Sequence, residues 1–226
     1  LLHEGRILQK WHLDIFEMVR RVRPDMRLGL IDNGTYVRHI DEFARRGFRL
    51  DWLDISVDGT EASHNKQRDP LGRAYAQAMD GLRNARRVVT ARGRVSSLMT
   101  LTSLNCPDVE TVPDTLFGEH LVDQFHITTM SPKLSPNFDI EMSVEDLRVA
   151  WSQISRVMSM FPNKVFFRIY RTKDLEKLAH VVGFDAMRQA VRTARADIGR
   201  IELQLEGAAV SFFPNSTWPQ ETVLID

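Results

Sequence analysis

The feature that most constrains this chain is its alternation of two periodicities. Segments with apolar residues every three or four positions are separated by short apolar runs that lack this spacing. Ile7, Leu8, Trp11, Ile15, Met18, Val19 and Val22 mark one helix face, and Pro24 ends it. Met26 to Ile31 then reads as a strand closed by Asp32-Asn33-Gly34. Thr35 is placed to cap a second helix reaching about Arg46, with Val37, Ile40, Phe43 and Ala44 inward, and Gly47 stops it. Leu53 to Val57 is the next strand and runs into Asp58-Gly59.

The same alternation continues to the end of the sequence. A polar stretch, Thr60 to Pro70, reads as a loop, and Gly72 to about Arg92 as a helix. Val95 to Thr102 and Phe125 to Met130 are strands, with helical residues around Val109 to Phe117 between them. Ser143 and Asp146 form a capping-box pattern before a helix carrying Leu147, Ala150, Trp151, Ile154, Val157 and Met158. Val165 to Tyr170 is a strand, followed by helical patterns at Lys173–Val182 and Phe184–Ile198. Ile201–Leu205, Val210–Phe213 and Thr222–Ile225 read as the last strands.

Strands joined by crossover helices imply an α/β fold with parallel strands, either a barrel or an open sheet. Apolar rather than alternating strands imply cover on both faces. With 226 residues and no linker-like composition, residues 1–226 are expected to form a single domain. Ligands of such folds sit at the carboxyl ends of the strands. Those ends are Asp32 to Gly34, Ser56 to Gly59, Thr100 to Asn105 and Thr128 to Pro132.

Composition removes several classes of function. Lys and Arg together number 30, as do Asp and Glu, so no net field favours nucleic acid or an anionic membrane. The basic run from Arg83 to Arg94 reads as a solvated helix end. No apolar stretch nears the roughly 20 residues that span a bilayer, and no signal peptide opens the chain. The single cysteine, Cys106, cannot form an internal disulfide or hold a cluster or structural zinc alone, and it reads as a buried inert thiol. His3, His12, His120, His126 and His180 show no metal-ligand spacing. A cytoplasmic setting is the expectation. The apolar starts and stops at Leu1-Leu2 and Val223-Leu224-Ile225 read as those of an excised segment.

One stretch carries a resemblance. Leu53-Asp54-Ile55-Ser56-Val57-Asp58-Gly59, followed by Ser63-His64-Asn65-Lys66-Gln67-Arg68 and a long helix, resembles the radical S-adenosylmethionine enzymes. Members read as an apolar strand, Ser-x-Asp-Gly, a short loop with His and Arg, then a helix. Ile31-Asp32-Asn33-Gly34 is similar to the family's Thr-Asn-Gly at the preceding strand end, with Asp32 in place of Thr. The resemblance spans roughly Leu1 to Pro132 and fades beyond.

That resemblance implies a partial, TIM-like (β/α) barrel, here lacking its first strands and so presenting an unpaired parallel edge. It implies S-adenosylmethionine and a four-iron four-sulfur cluster as cofactors, an electron donor, and a small-molecule or peptide substrate. Ser56 and Asp58 would face the ribose or sulfonium side, and Asn33 the ribose or the substrate. Arg68 would pair with the cofactor carboxylate through two parallel hydrogen bonds. Thr128 and Met130 would line the adenine side. The cluster ligands, C-x3-C-x2-C, and the Gly-Gly-Glu-Pro segment would lie upstream of Leu1, since Leu1 to Gly5 resembles the residues that come directly after Gly-Gly-Glu-Pro in the family. A cysteine-rich extension would follow Asp226. No metal ligand and no catalytic residue is assigned within the chain. An ordinary barrel enzyme needs a Lys, paired carboxylates or a late phosphate loop at these ends, and none stands out; a clusterless binding module stays open. His64 reads as a turn-stabilising residue, and Trp218 carries no recognisable mechanism.

Overall fold

A computed structural model describes residues 2–3, 8–69, 71–130, 140–197, 199–214 and 224–225. The order of elements follows the sequence pattern. Strand β1 (Leu2–His3) precedes helix α1 (Lys10–Val22), β2 (Gly29–Asp32) and a 3₁₀ turn over Thr35–His39 that leads into α2 (Ile40–Arg45). Next come β3 (Leu50–Ser56), α3 (Glu61–Arg68), α4 (Ala74–Asn84), β4 (Val89–Thr100), α5 (Thr111–Gly118) and β5 (Gln124–Thr128). The chain continues through α6 (Val144–Met160), β6 (Val165–Ile169), α7 (Thr172–Val182) and α8 (Phe184–Arg192). It ends with β7 (Arg195–Asp197), β8 (Arg200–Leu205), β9 (Ala208–Phe212) and β10 (Leu224–Ile225).

The strands form one sheet in the order β10-β1-β2-β3-β4-β5-β6-β9-β8-β7. Neighbours from β10 to β9 are parallel, and β8 and β7 add antiparallel pairs at one end. The fold is thus α/β with a mostly parallel sheet. Among the described residues that sheet is open: no pairing joins β7 to β10. The parallel edge expected at β1 is not bare, because β10 pairs with it through Leu2 with Leu224 and His3 with Ile225.

From β1 to β6 every crossover advances one strand in the same direction. A right-handed crossover that always moves the same way puts every helix on the same face. Burial bears this out. Leu53, Ile55, Val95, Met99, Phe125, Ile127, Phe167 and Ile169 join Leu82, Leu116, Leu147, Ile154 and Leu178 of the helices in one core. Successive strand residues point to opposite faces, so Asp54, Ser56, Arg94, Ser96, His126, Thr128 and Arg168 lie on the other side. The strands therefore alternate, and the expectation of apolar cover on both faces fails because the described helices that join the core, α1, α2 and α4 to α8, stack on one.

Three further expectations are corrected. Thr60 to Pro70 is not a loop, for Glu61–Arg68 is helix α3. The helix expected from Gly72 to Arg92 ends at Asn84, and β4 already begins at Val89. On α1 the face reading is shifted. Leu13 and Phe16 are buried while Trp11, Met18 and Val22 are 48%, 57% and 71% exposed, since two apolar stripes lie side by side and the sheet takes one. The capping box at Ser143 forms as read: the Ser143 hydroxyl accepts from the Asp146 N–H at 3.1 Å and the Asp146 carboxylate accepts from the Ser143 N–H at 2.8 Å. The basic run ends in solvent-facing pairs, Arg83 with Glu119 at 3.3 Å and Arg86 with Asp123 at 2.6 Å. Among the described residues no helix is long and apolar enough to cross a membrane.

Candidate functional site

The carboxyl ends of β2, β3 and β4 converge on Asp58. Its side chain is fully buried. One carboxylate oxygen accepts from the Thr100 N–H at 2.8 Å, and the other accepts from Arg68 Nε and from Gln67 Nε2 at 3.4 Å. Arg68 then reaches the next strand end, where its Nη1 donates to Asn33 Oδ1 at 2.9 Å. Three of the four residues singled out from sequence, Asn33, Asp58 and Arg68, are thus joined in one hydrogen-bonded chain across two strand ends.

Each member is positioned by local structure. Gly34 has φ +84°, a left-handed conformation, and a Cβ there would lie 2.2 Å from the Gln77 carbonyl oxygen. The Asn33-Gly34 turn therefore sits directly on α4, and Gln77 Nε2 donates to the Asn33 carbonyl at 2.9 Å. Gly59 has φ +132°, and a Cβ would collide with Ser63 and Asp108. The Asp108 carboxylate accepts from the Thr60 N–H and hydroxyl, both at 3.0 Å, and from the Ser63 hydroxyl. It thereby supplies the acceptor at the start of α3 that Thr60 itself does not.

His64 sits inside this arrangement, buried on α3. Its Nδ1 accepts from the Asp58 N–H at 2.8 Å, and its ring meets Tyr75 edge-on at 5.9 Å. Burial pushes the imidazole down to about 4 despite the opposing influence of Asp58, so it is the neutral ring that holds the turn. Asn105, also fully buried, donates to the carbonyls of Asp58 at 2.9 Å and Thr100 at 2.8 Å and accepts from the Thr102 N–H at 2.8 Å. Sequence reasoning marked the loop holding Asn105 but gave that residue no role.

Ser56 is set apart from the chain of bonds. It is buried at the end of β3 on the sheet face away from the helices, and its hydroxyl takes no hydrogen bond among the described residues. Register places it in one row with Leu98, His126 and Phe166 on successive strands. The next row toward the carboxyl ends holds Thr100, Thr128, Arg168 and Ser211. Thr128 is buried, with its hydroxyl 3.5 Å from the Met99 carbonyl, and Met130 is buried beyond it.

Two residues of these rows escaped sequence reasoning. His126 is 7% exposed, its Nδ1 has no hydrogen-bond partner among the described residues, and its ring stacks on Phe166 at 5.2 Å. Burial, with smaller contributions from Arg168 and Arg94, pushes its imidazole down to about 3. The Arg168 guanidinium faces the same side. The signal was the alternation Phe125-His126-Ile127-Thr128 and Phe166-Phe167-Arg168-Ile169, which the reading of these strands as buried on both faces passed over.

Among the described residues no group of His, Cys, Asp and Glu is arranged to hold a metal ion. Cys106 is buried in the core, and burial pushes its thiol up to about 12, which makes it inert as a ligand or nucleophile. Leu1, the start of the upstream motif's expected neighbour, and Trp218 lie outside the described residues. No protein-family model and no curated protein matches the chain.

Proposed function

We propose that this chain is the partial-barrel portion of a radical S-adenosylmethionine enzyme acting in the cytoplasm on a small-molecule or peptide substrate. The observation that carries the reading is the joining of Asn33, Arg68 and Asp58 at two strand ends, beside a polar sheet face that no described helix covers. A singly wound, unclosed parallel sheet is the expected shape of such a partial barrel.

The donor set fits the cofactor's amino-acid and ribose groups. Arg68 Nη2, the Asn33 side-chain NH₂ and the Ser56 hydroxyl are left without protein partners among the described residues, and two of them are the donors a carboxylate takes. Arg68 Nε is committed to Asp58 and Nη1 to Asn33. It keeps three N–H groups for a ligand, two on Nη2 and one on Nη1, while Asp58 blocks the fork that uses Nε. Asp58 acts one step back: buried and fully engaged, it fixes the guanidinium and the β4 end. When bound, the cofactor supplies the 5′-deoxyadenosyl radical that abstracts hydrogen from substrate. The described residues offer no ligands for the iron–sulfur cluster, and its cysteines belong upstream of Leu1 in this reading.

Anaerobic iron and sulfide analysis of the native-length protein tests the proposal. About four irons per chain, with 5′-deoxyadenosine formed from S-adenosylmethionine on reduction, is the expected result. No iron after reconstitution and no S-adenosylmethionine binding overturns it in favour of a clusterless binding module.

A further inference from the structure

The sheet face away from the helices carries a group of side chains that the fold does not explain. Its floor holds Asp54, whose carboxyl is pushed up by burial against the opposing effects of Ser96, Arg168 and Arg94. Arg94 is occupied, donating to Gln124 Oε1 at 3.0 Å. Glu202, in the row of Ser211, is paired with Arg200 at 3.3 Å. Arg171, just past β6, is paired with Asp174 through two bonds at 2.7 and 2.8 Å. The Arg168 guanidinium has no hydrogen bond or ion pair among the described residues. It lies on the strand next to His126 and diagonal to it, close enough to influence that imidazole.

A folded protein seldom leaves a buried polar atom without a partner, and such an atom calls for an explanation. His126 Nδ1 is one. An unpaired guanidinium beside it is the complement of an anion. Among the described residues, the face thus carries a guanidinium with no hydrogen-bonded or ion-paired carboxylate and an imidazole nitrogen without its hydrogen bond, next to the partly exposed ring of Phe166.

We propose that this face binds the substrate by a carboxylate, held by the planar fork of Arg168 and by the imidazole of His126, with Phe166 against its carbon skeleton. The inference deepens the functional reading above and rests on it for calling the ligand a substrate. A carboxylate matches better than a phosphate. One planar fork satisfies a single negative charge, whereas a dianion needs a second free cation, and His126 is uncharged. Register puts Ser56 two strands from His126 in the same row, roughly 10 Å at the usual strand spacing. A small carboxylate compound seated at His126 therefore lies next to the cofactor side of the site.

The test titrates the full chain with N-acetylglycine, N-acetylglycinamide and inorganic phosphate, following the His126 ring signals by NMR. N-acetylglycine is expected to shift them saturably and the amide to leave them unmoved. R168M is expected to weaken N-acetylglycine binding roughly tenfold or more, and R168K by less, because a point charge replaces the fork. R168K also serves if R168M fails to fold. Equal binding of the amide, unchanged affinity in both variants, or tighter binding of phosphate overturns the inference. S-adenosylmethionine titrated into the reconstituted native-length protein, wild type and R168M, separates the two claims. Its failure to bind while N-acetylglycine still requires Arg168 sinks the radical-enzyme reading and leaves the carboxylate site standing. Its binding with no role for Arg168 sinks the site alone.

Discussion

Asn105 ties the end of β4 to the end of β3, because its side-chain amide donates to the Asp58 carbonyl at 2.9 Å from a position with no solvent exposure. The same NH₂ serves the Thr100 carbonyl, and the amide oxygen receives the Thr102 N–H. Removing the amide leaves three main-chain groups to find new partners, two of them in fully buried residues, Asp58 and Thr102. N105A is expected to lose about 2–4 kcal/mol of stability, more than one exchanged hydrogen bond, because each orphaned group keeps its desolvation cost. Urea denaturation checks this through a lowered midpoint at an unchanged m-value.

Two buried histidines set an acid limit. His64 titrates at about 4 and His126 at about 3 in the folded protein, against about 6.5 when unfolded. Their folded values are depressed, so below pH 6.5 the unfolded state binds protons that the folded state does not. Stability is therefore expected to be full above about pH 6.5 and to fall steadily as pH drops toward 4, by up to about 1.4 kcal/mol per pH unit for each ring. Glu42 and Glu141, held down to about 2 by Arg45 with Arg46 and by Lys173 with Lys177, add losses only below about 4.5. H64N keeps an acceptor for the Asp58 N–H but cannot titrate. Its urea midpoint plotted against pH should show a shallower slope than wild type between pH 6 and 4; an identical slope refutes the assignment.

The order of strands and helices was legible because the long helices have an apolar side and the strands do not share their period. Helix α3 was not. Glu61 to Arg68 has no apolar face, and what holds it lies outside it: Asp108 at its start and Asp58 with Asn33 around Arg68. The turns at Asn33-Gly34 and Asp58-Gly59 were visible as turns, and their order suggested that they act together. Their joining by Arg68 required the parallel register of β2 against β3, which no local pattern encodes. His126 and Arg168 stayed hidden for a different reason. The period-2 signal in β5 and β6 is plain, but its meaning depends on the helices that join the core lying on one face, which is a property of the connections.

Arg68 and Asp58 differ in exposure, and this sets the ranking of their variants. The Arg68 side chain is 27% exposed while that of Asp58 is fully buried. R68A leaves a buried carboxylate without its cation and is expected to cost about 2–4 kcal/mol, the upper part of the usual range being reduced by the exposure of the pair. D58N leaves a guanidinium that water and Asn33 still solvate, together with an amide oxygen able to accept from the Thr100 N–H. It is expected to cost less than R68A. Chemical denaturation of both at pH 7 checks the order, and D58N as the more damaging variant contradicts it.

Gly34 separates two costs that positive φ usually mixes. At Gly47, φ is +60° and an added Cβ meets nothing within 4 Å, so G47A measures the conformational cost alone, about 1–2 kcal/mol. At Gly34, φ is +84° and the Cβ would also lie 2.2 Å from the Gln77 carbonyl and 2.8 Å from its carbon, both main-chain atoms of α4. Backbone cannot rotate out of the way as a side-chain tip does, so the helix must move. The Tyr36 hydroxyl, which donates to the Gly81 carbonyl at 2.5 Å, resists that movement. G34A is therefore expected to exceed G47A by at least about 2 kcal/mol. It should also loosen Asn33, whose carbonyl is held by Gln77, and so weaken S-adenosylmethionine binding in a folded G34A protein while G47A binds as wild type. Equal stability of the two variants shows that α4 yields freely, and the Asn33 turn is then not fixed by its contact with that helix.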